Sequence, residues 1–321
     1  FLGLFALIFT TLSGQSFAKK HPTYASKTCN GQIQVVIHAS YGGGTDTTAR
    51  MMSIRTRRTL NTDIQIVGKR GGSGAKAQNY TLTRPKDGCT IMALTESHLY
   101  TMARGKSNMK IDDLVGVARA MEEPTFVVVN AKNKELSTVK KMQKRAQKKP
   151  ISVAIASIGG TEHIGMYSYS KAANIPFKAV SFGSGAQSLQ ALASGKVEAS
   201  LLNPSEAAAL IADKKIKAIV LLHDKALADY PKVKTSYSMG HKVKVVTTRG
   251  YAVLKGTPQS VIDEISKGMV KAMKHETFGN YLKGASLDPA TSPAGTKVWD
   301  KQLKENYKKA AAALKGLGFT K

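Results

Sequence analysis

The stretch Ile33-Gln34-Val35-Val36-Ile37-His38-Ala39-Ser40-Tyr41-Gly42-Gly43-Gly44-Thr45-Asp46-Thr47-Thr48-Ala49-Arg50 decides the fold. It opens as a β-branched apolar run of buried-strand character, turns through three glycines and continues as a helix start. Strand, glycine turn and helix are the repeating unit of an α/β protein. A helix start leaves backbone N–H groups unpaired at the positive end of the helix dipole, so backbone donors can hold an anion there. Glycines let such a group approach the chain closely. A plain connection has the same appearance, with Thr45 as a helix cap and Asp46 complementing the dipole.

Outward from this segment, strand-like runs recur at 33–37, 64–67, 91–94, 126–130, 152–156, 179–182, 199–202, 218–222 and 250–254. Helical patterns fall between or after them at 137–147, 160–173, 186–194, 258–275 and 295–315, with Ser137 as a cap, Gly195 as a stop and Pro258 at a first helical position. This alternation predicts an α/β protein with mostly parallel sheets. The strands at 125–130 and 249–254 bracket a self-sufficient block, and each can carry the chain between domains. Two crossings make a hinge over a cleft, where small ligands commonly bind. The expected division is a leader at 1–18, one domain from 19–124 with 249–321, and a second from 125–248.

The leader follows from the apolar run Phe1-Leu2-Gly3-Leu4-Phe5-Ala6-Leu7-Ile8-Phe9, too short for a bilayer span, and the small-x-small pattern Ser16-Phe17-Ala18. Export gives Cys29 and Cys89 an oxidising compartment. Each precedes a strand, at 33–37 and 91–94, and if those strands are neighbours a disulfide can join their starts; two unrelated thiols are the alternative. The chain carries 48 Lys+Arg against 21 Asp+Glu, a formal charge of +27. Its lysines are scattered rather than striped among aromatics, so the charge suits steering of anions and not nucleic-acid recognition.

Two further strand-to-helix turns carry glycine, Ala156-Ser157-Ile158-Gly159-Gly160-Thr161-Glu162-His163 and Ser181-Phe182-Gly183-Ser184-Gly185-Ala186. Three such turns can present backbone donors across one cleft. Thr161 and Ser184 also suit helix caps, and His163 a structural hydrogen bond. Known chemical motifs are missing. Neither the first turn nor Arg70-Gly71-Gly72-Ser73-Gly74-Ala75-Lys76 has phosphate-loop or dinucleotide spacing. Gly183-Ser184-Gly185 lacks the nucleophile-elbow frame, and the seven His and two Cys form no metal-ligand pattern.

At these residues the chain resembles the substrate-binding proteins of tripartite tricarboxylate transporters, the Bug family of periplasmic solute receptors. The family's P-G-G-G-T-D-x-x-A-R is matched by the residues from Tyr41 to Arg50, and its P-D-G-Y-T-L by Lys86-Asp87-Gly88-Cys89-Thr90-Ile91. Its A-S-x-G-x-G-S-x-x-H-L is similar, with one residue fewer, to the turn at Ala156. Its V-P-Y-K-G-x-x-P-A resembles Val180-Ser181-Phe182-Gly183-Ser184-Gly185-Ala186. Further matches in order are Ser194-Gly195-Lys196-Val197 and Leu254-Lys255-Gly256-Thr257-Pro258.

The resemblance implies a type II periplasmic binding fold, with two doubly wound α/β domains joined by two crossings and closing on a carboxylate held by backbone N–H groups, hydroxyls and ordered water, without an obligatory Arg. It implies an exported receptor, monomeric and without cofactor or metal, that delivers a small organic carboxylate to the membrane permease subunits of a tripartite transporter. The expected ligand contacts are Tyr41, Gly43, Gly44, Thr45 and Asp46 from the first domain. From the second they are Ser157, Gly160, Thr161, His163, Phe182, Gly183, Ser184, Ala186 and Asn203. Departures bear on the ligand: Tyr41 replaces Pro, Phe182 replaces Tyr, and Ser200, Leu202 and Asn203 occupy a region where many members carry Asp, which favours a purely anionic ligand. Two rivals are a sensor component feeding a histidine kinase and an exported serine hydrolase using Ser184 or Ser157 with His163.

Overall fold

A computed structural model describes residues 27–320, so the expected leader at 1–18 lies outside the described residues. Two mixed sheets organise the chain. The first has six strands in the order β11-β4-β10-β3-β1-β2, with β1 Gln32–Ile37, β2 Asp63–Gly68, β3 Thr90–Leu94, β4 Leu114–Pro124, β10 Val246–Leu254 and β11 Ala294–Gly295. The second has five in the order β7-β6-β8-β5-β9, with β5 Phe126–Asn130, β6 Ile151–Ile155, β7 Phe177–Ser181, β8 Ala199–Leu202 and β9 Ile216–Leu221. We refer to the structure around each sheet as a lobe.

Parallel pairing is only part of the picture. β1 runs parallel to β2 and β3, and β6 parallel to β7 and β8. The strands beside the crossings reverse direction: β10 is antiparallel to β3 and β4, and β5 to β8 and β9. The sequence reading also missed β4, whose 11 residues include Arg119, Glu122 and Glu123 among apolar neighbours. β4 leaves the first sheet at Pro124 and β10 enters it at Val246, directly opposite in register. The two crossings therefore lie side by side.

The helices are α1 Gly44–Thr59, α2 Ala75–Leu82, α3 Glu96–Ala103, α4 Val139–Lys148, α5 Thr161–Ala173, α6 Gly185–Ala193, α7 Pro204–Ala212, α8 Gln259–Met273, α9 Glu276–Gly284 and α10 Thr296–Gly316. α4 is capped by Thr138, whose hydroxyl accepts from Lys141 N–H at 3.2 Å, and not by Ser137. Each sheet is covered on both faces, so Val35, Val36, Val127 and Val128 are all fully buried. Cys29 and Cys89 form a disulfide across 60 residues. β1 and β3 are indeed neighbours, and Gln34 N–H donates to Cys89 O at 2.8 Å beside the bridge. The chain end returns to the second lobe, where the Phe319 ring packs edge-on against Tyr167 at 5.1 Å.

Candidate functional site

A cavity of about 640 Å³ lies between the lobes. Three helix starts contribute to its wall: Gly44 and Thr45 of α1, Thr161 and Glu162 of α5, and Ser184 with Gly185 at the head of α6. The loop from Arg70 to Gly74 closes one side, and Ser97 in the first turn of α3 another. Direct hydrogen bonds join the lobes around it. Ser73 Oγ donates to Ile158 O at 2.6 Å, Thr161 N–H donates to Ser97 Oγ at 3.1 Å, and Ser40 N–H reaches Gly183 O at 3.4 Å. This is a closed arrangement.

The floor is built by Arg249, a charged residue in the otherwise neutral strand β10 and only 4% exposed. Its guanidinium pairs with Glu123 of β4 and donates to Asn203 Oδ1 at 3.1 Å. Burial works against its charge, but the carboxylates of Glu123 and Glu206 help outweigh that and raise its pKa above the ordinary value. Glu206 comes from the first turn of α7. Its Oε1 accepts from Gly44 N–H at 3.3 Å and its Oε2 from Asn203 N–H at 3.1 Å, while burial pushes its carboxyl upward. An added Cβ on Gly44 would lie 2.3 Å from Arg249 Nη2, so glycine is required for this approach.

Two more groups on the cavity wall are shifted by burial. The Glu162 carboxyl is pushed up to about 7, and His38 is lowered to about 4, with Arg249 adding to the effect on His38. His38 packs edge-on against His98 at 4.1 Å. His98 Nδ1 accepts from Thr95 N–H at 3.1 Å, which assigns the neutral His98 proton to Nε2.

Of the residues singled out from sequence, Gly44, Thr45, Ser157, Thr161, Phe182, Gly183 and Ser184 line the cavity. The others stand outside its wall for identifiable reasons. Asp46 is buried and accepts from Gly42 N–H at 2.8 Å and Arg50 Nε at 2.9 Å, which locks the glycine turn. Tyr41 is 59% exposed, its hydroxyl accepting from Gly68 N–H at 3.0 Å. Gly43 and Gly160 precede α1 and α5 as N-cap residues. His163 Nδ1 accepts from Gly159 N–H at 2.9 Å. Ala186 borders a separate 210 Å³ pocket beyond Glu206. Asn203 holds the first crossing through Pro124 O at 2.9 Å and Thr125 Oγ1 at 3.3 Å.

Sequence reasoning passed over His38, Arg70, Ser97, Glu206 and Arg249, all on the cavity wall. Arg249 had a signal, a charge inside an apolar strand. Glu206 had one as well, because Asn203-Pro204-Ser205-Glu206 is a capping box, in which the glutamate returns to the cap N–H.

Comparison with known proteins agrees with this architecture. The sequence model of the tripartite tricarboxylate transporter family receptor matches residues 48–318. The chain is 22% identical to the protein BugT of Bordetella pertussis over 277 residues, covering 83% of this chain and 82% of BugT. Among solved structures, MatC from Rhodopseudomonas palustris with bound malate is similar at a TM-score of 0.82 and 20% identity, covering 88% of this chain and 98% of that one. A second R. palustris protein, solved with adipate, is similar at 0.81 and 18%, covering 89% and 97%. BugD, a periplasmic binding protein, is similar at 0.81 and 19%, covering 89% and 97%.

Proposed function

The chain belongs to the tripartite tricarboxylate transporter receptor family, and on that premise we propose that it is a periplasmic receptor that captures a small organic carboxylate between its lobes and presents it to membrane permease subunits. The observation that carries this reading is the convergence of three helix starts and Arg70 on one cavity between two lobes. Helix N-termini and a guanidinium are suited to a carboxylate, and the two adjacent crossings suit a hinge. Relatives of the same fold have been solved with malate and adipate.

In this reading the lobes are 19–124 with 249–321 and 125–248. Arg70, the backbone of loop 71–74, Thr45, Ser157, Thr161 and Ser184 hold the ligand, while Phe182 and Gly183 set its size. Ligand contacts made to both lobes favour the closed form, and the permease reads closure as a shape. The protein acts by binding rather than by turnover. Ser184 Oγ accepts from Gln187 N–H at 3.3 Å as a helix cap, and His163 Nδ1 is engaged by Gly159, so neither is arranged as a nucleophile with its base.

A thermal-shift screen against mono-, di-, tri- and aromatic carboxylates, with sugars and amines as controls, tests the reading. A ligand at about 100 times its Kd adds about 2.7 kcal/mol of stability. A saturable rise with carboxylates supports it, and ester or amide turnover lost in Ser184→Ala would replace it with a hydrolase.

A further inference from the structure

Glu162 lines the cavity from the first turn of α5, and its Oε2 is buried without a hydrogen-bond partner among the described residues. A buried acceptor left unsatisfied carries the full cost of its desolvation, so the site favours an occupant that brings positive charge to this carboxylate. The other carboxylate on the wall, Glu206, already has Gly44 N–H and Asn203 N–H. The buried cation, Arg249, is neutralised by Glu123. Arg70 gives one hydrogen bond to Ser40 Oγ at 3.0 Å and lines the cavity from the first lobe. With every group ionised, Arg70 and Arg249 are outnumbered by Glu123, Glu162 and Glu206. A dianion would enter a site already short of positive charge.

We propose that the ligand is an amino carboxylate, whose carboxylate meets Arg70 and loop 71–74 and whose cationic nitrogen pairs with the Glu162 carboxylate. This rests on the receptor reading and narrows its ligand class. It reverses the expectation drawn from Ser200, Leu202 and Asn203. Ser200 Oγ donates to Ala154 O within the sheet at 3.1 Å, Leu202 is in the core and Asn203 secures the crossing. None of the three lines the cavity, whereas Glu162, from the first turn of α5, does.

The charged groups acting on Glu162 are Glu206 of α7, which raises it, and Arg249 of β10, which lowers it; burial dominates both. On its own helix, His163 Nδ1 is engaged by Gly159. A cation arriving at Glu162 favours its ionised form, so an amino carboxylate releases a proton on binding near pH 7. A carboxylate arriving alone has the opposite effect and takes one up.

The test is calorimetric titration of the exported chain with matched pairs: L-glutamate and glutarate, L-leucine and 4-methylpentanoate, L-phenylalanine and 3-phenylpropionate. Runs in buffers of different ionisation enthalpy count the protons. The proposal expects at least one amino acid to bind tenfold or more tighter than its desamino partner, with proton release, and Glu162→Gln to cut that preference to threefold or less. Should Glu162→Gln not fold, the proton count on the unmodified chain decides. Desamino acids binding as well or better, or proton uptake in every case, would overturn the proposal and leave the carboxylate receptor standing. Binding by neither member of any pair would also overturn the proposal, while the receptor reading falls only if the wider carboxylate screen finds no ligand either.

Discussion

The backbone N–H of Gly44 donates to Glu206 Oε1 at 3.3 Å, across the cleft and between residues 162 apart in sequence. A helix start that reads in sequence as a site for a ligand's anion is thus partly filled by the protein's own carboxylate. The glycine turn joins the lobes through this contact, and in the proposed reading the ligand's carboxylate is left to the Arg70 side of the cavity.

Gly44→Ala should therefore weaken both closure and stability. The new methyl would meet Arg249 Nη2 at 2.3 Å, which is held in a buried ion pair with Glu123, and Glu206 Oε1 at 2.9 Å, which accepts from Gly44 N–H itself. Overpacking of this kind costs about 1–3 kcal/mol, readable by urea unfolding. A stability equal to that of the parent chain would mean that the contact is not formed in solution.

Breaking the Arg249–Glu123 pair leaves a buried charge unpartnered. Arg249→Met alone should cost about 3–5 kcal/mol, and the double change to Met and Gln should cost less than the two single changes together. A double-mutant cycle by denaturant unfolding checks this, and additive losses would contradict the pairing.

Stability should depend on pH through groups of opposite sign. Glu96, whose Oε2 accepts from Thr248 N–H at 2.7 Å, is raised by burial to about 7, as is Glu162. A carboxyl whose folded pKa lies above its unfolded value binds protons more tightly when folded. These two therefore favour the folded state at low pH and lose that contribution as pH rises from about 4.5 through 7. His38, lowered to about 4, and His98, also lowered by burial, act oppositely, gaining stability as pH rises from about 4 to 6.5. Glu96→Gln should gain stability relative to the parent between pH 5 and pH 8, on the order of 3 kcal/mol at most. Melting curves across that range test it; a constant difference would remove Glu96 from the account.

The Cys29–Cys89 bridge closes a 60-residue loop. In the chain-entropy model a loop of that size is worth about 4 kcal/mol. Reductant should lower the melting temperature of the parent chain and leave a Cys29→Ala, Cys89→Ala double variant unchanged.

How far the sequence could be read follows from the range of the interactions involved. Strands β1 and β5 are visible because valine-rich runs are locally unambiguous. The three glycine turns are visible because positive φ is a local demand, met at Gly42, Gly159 and Gly183. β4 was hidden because its charges interrupt the apolar pattern. Arg119 bonds Ser292 O and Thr291 O, and Glu123 bonds Ser205 and Arg249, so these charges are satisfied by partners distant in sequence. The same applies to the site. Asp46 and His163 looked like ligand groups but serve their own turns, within four residues. Glu206 and Arg249 take their places at the cavity through Gly44 and Glu123, partners more than a hundred residues away in the chain.

The most direct test of the central claim is an equilibrium titration of the tightest carboxylate from the thermal screen into the parent chain and into Arg70→Gln. Arg70 is exposed outside the core, so the variant should melt with the parent when no ligand is added. The account predicts saturable binding by the parent and at least tenfold weaker binding by the variant. Equal affinity in both chains, or no saturable binding of any carboxylate, would contradict it.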